Sequence, residues 1–334
     1  MNPPVFICGH RKAGTTLVRN LLDGHSELNV YPNDLGLMFL YFPNYILNCD
    51  DLNILKNRVD KILFEIQEES CKKSLPKKHH ARFDIWRKNF NLELNELSLE
   101  ELKSKSILMR ILDTTFKNFC LEINEFKQDA NINLYKETML EINAIKMAED
   151  IPGSRFIHVL RDPRANYASL KSGVEKYYGP KGSDNNNTIM MGLIHRLQLS
   201  LGLANINLNT IGSNSYYIVK YEDLVSDPQY IMSQLSSWLG VGYEEALLTP
   251  TLFSSLQGSN NFEGKRQYKI SNQSLDKWKS KITEREEALV SYFLGRDMIN
   301  HGYESSKLTV EMAKAVGDFY EWSNYEYFFT DFYG

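Results

Sequence analysis

Residues able to bind an anion are concentrated in one short stretch, Val5 to Leu22. Arg11 and Lys12 bring full positive charge, Thr15 and Thr16 bring hydroxyl donors, and Gly9 and Gly14 bound the loop between them. The residues before the loop, Val5-Phe6-Ile7-Cys8, form an apolar run too short for a helix and read as a buried parallel strand. Those after it place Leu17, Leu21 and Leu22 on one face of a helix. A strand, a glycine-bounded turn and a helix start build a phosphate cradle. The unpaired amides of the first helical turn and the positive end of the helix dipole converge on one spot. Arg11, Lys12, Ala13, Gly14, Thr15 and Thr16 are therefore candidate phosphate-binding residues.

The place of the lysine narrows the chemistry. A Walker A loop, G-x-x-x-x-G-K-[ST], carries Lys directly after its second glycine. Here the glycines keep that spacing, but Thr15 follows Gly14 and the lysine is Lys12. That speaks against an ordinary ATPase or GTPase. Lys12-Ala13-Gly14-Thr15-Thr16 instead resembles the 5′-phosphosulfate loop of sulfotransferases that use PAPS (3′-phosphoadenosine 5′-phosphosulfate), among them the carbohydrate, tyrosylprotein and bacterial enzymes. The family's commonest forms are P-K-S-G-T-T and P-R-S-G-T-T, so Arg11 stands in place of Pro and Ala13 in place of Ser. Leu21-Leu22-Asp23-Gly24-His25-Ser26-Glu27 is similar to the family's L-L-D-x-H-P-E/D segment.

A second phosphate motif follows another buried strand, Arg155 to Leu160. Arg161-Asp162-Pro163 with Ser169 resembles the family's 3′-phosphate motif, R-[DN]-P-x-x-x-x-x-S. Arg161 at the strand end and Ser169 on the next helix can reach one phosphate from two sides, and the planar guanidinium offers paired charge-assisted hydrogen bonds. Pro163 suits a first helical turn, where its missing N–H is not needed. His158, in mid-strand, reads as a core histidine. Tyr221-Glu222-Asp223-Leu224 through Pro228 is similar to the family's Y-E-D-L-x-x-[DN]-P. The resemblance puts Tyr221 beside the nucleotide, with the acids mostly capping a helix. Gly264, Lys265 and Arg266 fall where the family has its C-terminal nucleotide loop and are further candidates for the 3′-phosphate, although the usual G-x-x-G-x-W spacing is not met.

Transfer to a hydroxyl also requires a base, and three residues could serve. Asp34 closes the run Pro32-Asn33-Asp34, which stops a strand over Leu28 to Tyr31, in the place where relatives of the carbohydrate type carry a carboxylate; it is equally an ordinary turn residue. Lys136 ends a strand over Ile132 to Tyr135 and matches the lysine of the family's K-x-P segment, with Thr138 in place of proline. A lysine there can neutralise charge building on a sulfonyl group, and Glu137 beside it is the rival base; the plain alternative is a Lys136–Glu137 surface pair. His195, in a helix over Thr188 to Leu208, is the third candidate, because several cytosolic sulfotransferases use a histidine.

These parts require an α/β chain with a P-loop-like three-layer fold, a central parallel sheet of about five strands between helices. With 334 residues the expectation is one sulfotransferase domain over 1–334, carrying a helical acceptor-side insertion at about 35–130 with helices such as Leu52 to Ile66 and Leu99 to Phe126. A net charge of −4 gives no support to a nucleic-acid partner. Cys8, Cys49, Cys71 and Cys120 form no C-x-x-C pair, which points to a reducing compartment and a cytoplasmic protein. No stretch reads as long and apolar enough to span a bilayer. The basic run from Cys71 to His80 reads as a solvated loop, and His79-His80 lack the spaced partners a metal needs, so no metal is expected. Gly173 to Asn187 is expected to be an active-site loop, and the aromatic tail from Phe319 to Tyr333 to pack on the core or an interface. The resemblance implies in-line transfer from PAPS to an acceptor hydroxyl, with carbohydrate or glycolipid favoured. A P-loop kinase dependent on Mg²⁺ and a non-catalytic nucleotide-binding module are the alternatives.

Overall fold

A computed structural model describes residues 3–41, 49–123, 127, 129–173, 185–253, 255–257, 270–272, 275–306 and 309–333. Five parallel strands form the centre: β1 (Val5–Cys8), β2 (Leu28–Asp34), β3 (Ile132–Lys136), β4 (Arg155–Leu160) and β5 (Tyr216–Lys220). Their order across the sheet is β2-β3-β1-β4-β5. The chain leaves β1 for β2 on one side and later places β4 on the other. The carboxyl end of β1 is therefore the crevice where ligands of open parallel sheets bind.

The strands alternate in side-chain direction, and the two faces have different chemistry. Val5, Ile7, Leu134, Ile157, Val159 and Val219 point to one face, where helices α1 (Thr15–Leu22) and, much later in the chain, residues 228–239 cover them. The other face carries one aromatic ring per strand. Tyr31, Tyr135, Phe6, Phe156 and Tyr216 form a row across all five strands, with neighbouring centroids 5.6 to 6.0 Å apart. Ring pairs at that spacing add about 0.5–1.5 kcal/mol each beyond the area they bury.

A helical layer lies on the aromatic face: α2 (Leu52–Asp60), α3 (Glu68–Ser74), α4 (His80–Asn95), α5 (Leu99–Lys103) and α6 (Lys105–Ile123). Trp86 of α4 is its hub, within 5.0 to 5.9 Å of Tyr31, Phe83, Phe116 and Phe119. The expected helix over Leu52 to Ile66 ends as an α-helix at Asp60 and continues as a π-turn over Lys61–Glu65. The expected helix from Leu99 is broken at Ser104, with a capping box of Ser98 and Glu101 fixing its start. Helix α7 (Ala144–Asp150) precedes β4, and α8 (Pro163–Lys171) follows it. The long α9 (Asn185–Ile211) leads to β5, then α10 (Tyr221–Ser226), α11 (Pro228–Leu239), α12 (Glu284–Asn300) and α13 (Val310–Tyr333).

Helix α9 corrects one expectation. By length and composition its residues 187–211 could cross a membrane. Its buried residues pack into the fold: Met190, Leu193, Ile194 and Leu197 against α12, and Leu201 and Ala204 beside Leu160 of β4. Of the expected loop over Gly173 to Asn187, residues 174–184 lie outside the described residues, and the helix already begins at Asn185.

Candidate functional site

The anion cradle is shaped by backbone. Gly9 follows β1 with φ 141°, and a Cβ there would sit 2.4 Å from the Val159 carbonyl oxygen of β4. The Ala13 amide donates to the His10 carbonyl at 3.0 Å and closes the turn. Lys12 itself is left-handed, with φ 66°. Such a residue costs about 1–3 kcal/mol, a strain met at sites where the backbone must present a group. Gly14, φ 109°, is the N-cap of α1 and provides no side-chain cap, so the first-turn amides face the loop. Arg11 is exposed, Lys12 and Thr16 are half-buried, and Ala13 and Thr15 are buried. His10 is buried too; loss of hydration pushes its pKa down to about 4, so the ring adds no charge.

The second motif meets the first directly. Arg161 Nη1 donates to the Lys12 carbonyl at 2.9 Å, and the guanidinium carbon lies 4.4 Å from the centre of the Tyr221 ring. The same ring packs under the loop, where a Cβ on Gly14 would come within 2.5 Å of Tyr221 Cδ2. Among the described residues the buried Arg161 Nε meets no acceptor. Asp162 caps α8 by accepting from the Arg164 amide at 2.8 Å, and Pro163 occupies its first turn. Ser169 is half-buried on that helix. Glu222 does not cap the helix that follows β5. Its Oε1 reaches back and accepts from the Asp162 amide at 3.0 Å, whereas Asp227 does cap α11, accepting from the Tyr230 amide at 3.1 Å.

On the other side of β1, the ends of β2 and β3 bring Asp34 and Lys136 into register. Lys136 Nζ donates to Asp34 Oδ1 at 2.5 Å, and the Thr138 amide and hydroxyl donate to the same oxygen at 3.0 and 2.9 Å. Burial pushes the Asp34 carboxyl up, but the charge of Lys136 and these donors outweigh it and hold the pKa below the usual carboxylate value. The Asp34 side chain stays 37% exposed, against 5% for Lys136. Glu137 is buried and accepts from the Gly36 amide at 2.5 Å. Desolvation, with the negative charge of Asp34 adding to it, raises its pKa to about 8. Lys136 thus pairs with Asp34, and neither Lys136 nor Glu137 lies on the surface. The Glu137 amide donates to the Ile7 carbonyl and the Met139 amide to that of Gly9, which ties this cluster to the phosphate loop.

His195 is exposed on α9. Gly264, Lys265 and Arg266 lie outside the described residues. His158 is a satisfied core histidine: Tyr216 donates its hydroxyl proton to Nδ1 at 2.8 Å, Nε2 lies 3.1 Å from Ser200 Oγ, and burial lowers its pKa to about 3. The sequence reading missed three groups. Thr138 has no local signal for its grip on Asp34. Arg19 is buried in α1 and donates from Nη1 to the Pro32 carbonyl and from Nε and Nη2 to Asn20 Oδ1. Glu141, fully buried, has its pKa raised to about 7 by desolvation. Only the polarity of Arg19 on an otherwise apolar helix face could have flagged one of them. Among the described residues no cluster of His, Cys, Asp and Glu could hold a metal ion.

Comparison with known proteins gives three findings. Residues 3–245 match the family model described as the sulfotransferase family. The chain is similar to the omega-hydroxy-beta-dihydromenaquinone-9 sulfotransferases Stf3 of Mycobacterium bovis and Mycobacterium tuberculosis, 24% identical over 322 residues, covering 91% of this chain and 76% of theirs. Among solved structures, the sulfotransferase domain from the curacin biosynthetic pathway aligns with a TM-score of 0.56 at 18% identity, over 92% of this chain and 99% of that one. The last is a likeness of fold.

Proposed function

This chain belongs to the sulfotransferase family, and on that premise we propose that it transfers the sulfonyl group of PAPS in line to an acceptor hydroxyl, releasing adenosine 3′,5′-bisphosphate. One observation carries the reading: Arg161 is bonded to the Lys12 carbonyl and stacked on the ring that supports Gly14. The 5′- and 3′-phosphate cradles are therefore one unit, matched to a nucleotide with phosphate at both positions. The first-turn amides, Thr15 and Thr16 hold the 5′-phosphate, while Arg161 and Ser169 hold the 3′-phosphate and select PAPS over ATP. As the bond from sulfur to the bridging oxygen breaks, negative charge grows on that oxygen, and Lys12 stabilises it.

Asp34 takes the acceptor proton as the new oxygen–sulfur bond forms. Its carboxylate is ionised at neutral pH and reaches solvent, whereas Glu137 is buried, bound to the Gly36 amide and protonated at pH 7. Lys136 keeps Asp34 charged and in place. For the acceptor, a hydroxyl borne by a glycolipid or similar lipid fits best among the carbohydrate-type acceptors. Support for the lipid body is the menaquinone-derived substrate named for the mycobacterial relatives. Four free, buried cysteines favour a cytoplasmic setting.

Calorimetric titration with adenosine 3′,5′-bisphosphate, ATP and ADP, without metal, tests the donor. Tight binding of the bisphosphate alone, lost in Arg161→Ala, is expected; a preference for ATP that emerges only with Mg²⁺ would overturn the reading in favour of a kinase. The pH profile of kcat tests the base. With Asp34 as base, the rate is flat through neutrality and falls only below the ordinary carboxylate range. With Glu137 as base it would climb about tenfold per pH unit up to about 8.

A further inference from the structure

The stretch of chain beyond residue 245, outside the family match, reaches back to the second phosphate motif at several points. The first is Glu286, in the opening turn of α12 and 6% exposed. Its Oε1 accepts the Tyr167 hydroxyl at 2.5 Å, and its Oε2 accepts Lys171 Nζ at 2.8 Å. Tyr167 and Lys171 are four residues apart on α8 and so share a face. Ser169 lies between them, about 200° around the helix from Tyr167. Gripping that face turns Ser169 the other way. The carboxylate is itself fixed by a capping box, accepting from the Thr283 amide at 2.8 Å.

The second point is Tyr303, just after α12. The Tyr303 amide donates to the Met298 carbonyl at 2.9 Å, which folds the residue back onto the helix end. The Tyr303 hydroxyl donates to Glu222 Oε2 at 3.1 Å, while Glu222 Oε1 holds the amide of Asp162, the residue next to Arg161. A third link runs between the two, Arg164 Nη1 to Glu287 Oε1 at 3.4 Å, with Ser306 Oγ donating to the same oxygen at 2.9 Å. Helix α12 and the turn just beyond it therefore reach both ends of the R-D-P…S motif.

We propose that Glu286 and Tyr303 are positioning residues for the donor's 3′-phosphate, Glu286 setting the direction of Ser169 and Tyr303 setting that of Arg161 through Glu222 and the Asp162 amide. This rests on the reading that Arg161 and Ser169 bind that phosphate. Neither residue touches the ligand; each fixes a residue that does. The fixing bears most on the 3′-phosphate: Arg161 also bonds the Lys12 carbonyl, but the 5′-phosphate loop takes most of its shape from β1, Gly9 and Gly14.

The test compares two ligands that differ only in the 3′-phosphate, adenosine 3′,5′-bisphosphate and AMP, titrated calorimetrically into the full chain and its Tyr303→Phe and Glu286→Gln variants. Wild type should prefer the bisphosphate strongly. Each variant should lose about three- to tenfold of that preference, the scale of one hydrogen bond, with AMP affinity falling less than that of the bisphosphate. In kinetics the donor KM should rise while the acceptor KM stays constant. Tyr303→Phe deletes a single oxygen and keeps the ring, so it decides the matter even if Glu286→Gln does not fold. A bisphosphate-to-AMP ratio equal to wild type in Tyr303→Phe, or equal losses for both ligands, overturns the proposal. A wild type that binds both ligands equally overturns instead the assignment of Arg161 and Ser169 from which it starts.

Discussion

On the donor side of β1 the site is written in backbone. Gly9, the left-handed Lys12 and Gly14 set the curve of the loop, and Arg161 locks it by bonding the Lys12 carbonyl. On the acceptor side, the site is written in side-chain charge. Asp34 is held by Lys136 and by two donors from Thr138, and burial pushes the Glu137 carboxyl up to about 8. A backbone cradle suits a ligand whose charge and geometry never vary, and its residues fall close together in sequence. A charge pair can be tuned by its surroundings, and here those surroundings are a helical layer knit by aromatic rings. The two sides meet through the backbone bonds from Glu137 and Met139 to Ile7 and Gly9, but the side chains of each can change independently of the other's.

That independence can be broken most forcefully at Trp86. Removing this buried hub by Trp86→Ala should cost about 3–5 kcal/mol of stability in denaturant titration. The folded protein should still bind adenosine 3′,5′-bisphosphate as wild type does. A parallel loss of bisphosphate affinity would show the two sides to be coupled. Lys12→Ala comes next. It should lower kcat about 10²- to 10³-fold, the scale of losing one donor to developing charge, with acceptor KM unchanged. Gly14→Ala is the mildest. The new methyl meets Tyr221 at 2.5 Å on a backbone with φ 109°, so bisphosphate affinity should drop about tenfold, while the pH profile set by Asp34 keeps its shape.

The same contrast explains what could be read before the structure was known. Strands of apolar residues buried on both faces, such as Val5–Cys8 and Arg155–Leu160, announce themselves, and so do glycine-bounded loops of fixed length. The end of β2 was less legible. Pro32 was expected to stop it, yet the strand runs to Asp34, because the pairing to β3 shifts register between Val30 and Asp34 and lets an edge strand carry a proline. The pairing of Lys136 with Asp34 in place of its neighbour Glu137 depends on that register, across about a hundred residues of intervening chain, and no local pattern encodes it. The contacts of Glu286 and Tyr303 were not legible for the same reason: their partners Tyr167, Lys171 and Glu222 are distant in sequence and ordinary in type.

The strand order also bears on how the chain is made. Val5 of β1 is paired with Leu134 on one side and Arg155 on the other, and never with the strand that follows it in sequence. While the chain emerges from a ribosome, the wholly apolar β1 has no partner until β3 and β4 have been synthesised. The contacts that complete the sheet are long-range, which makes folding slow. Until β3 has been made, the first strand is thus an unpaired apolar edge, the state most open to aggregation and to capture by a chaperone.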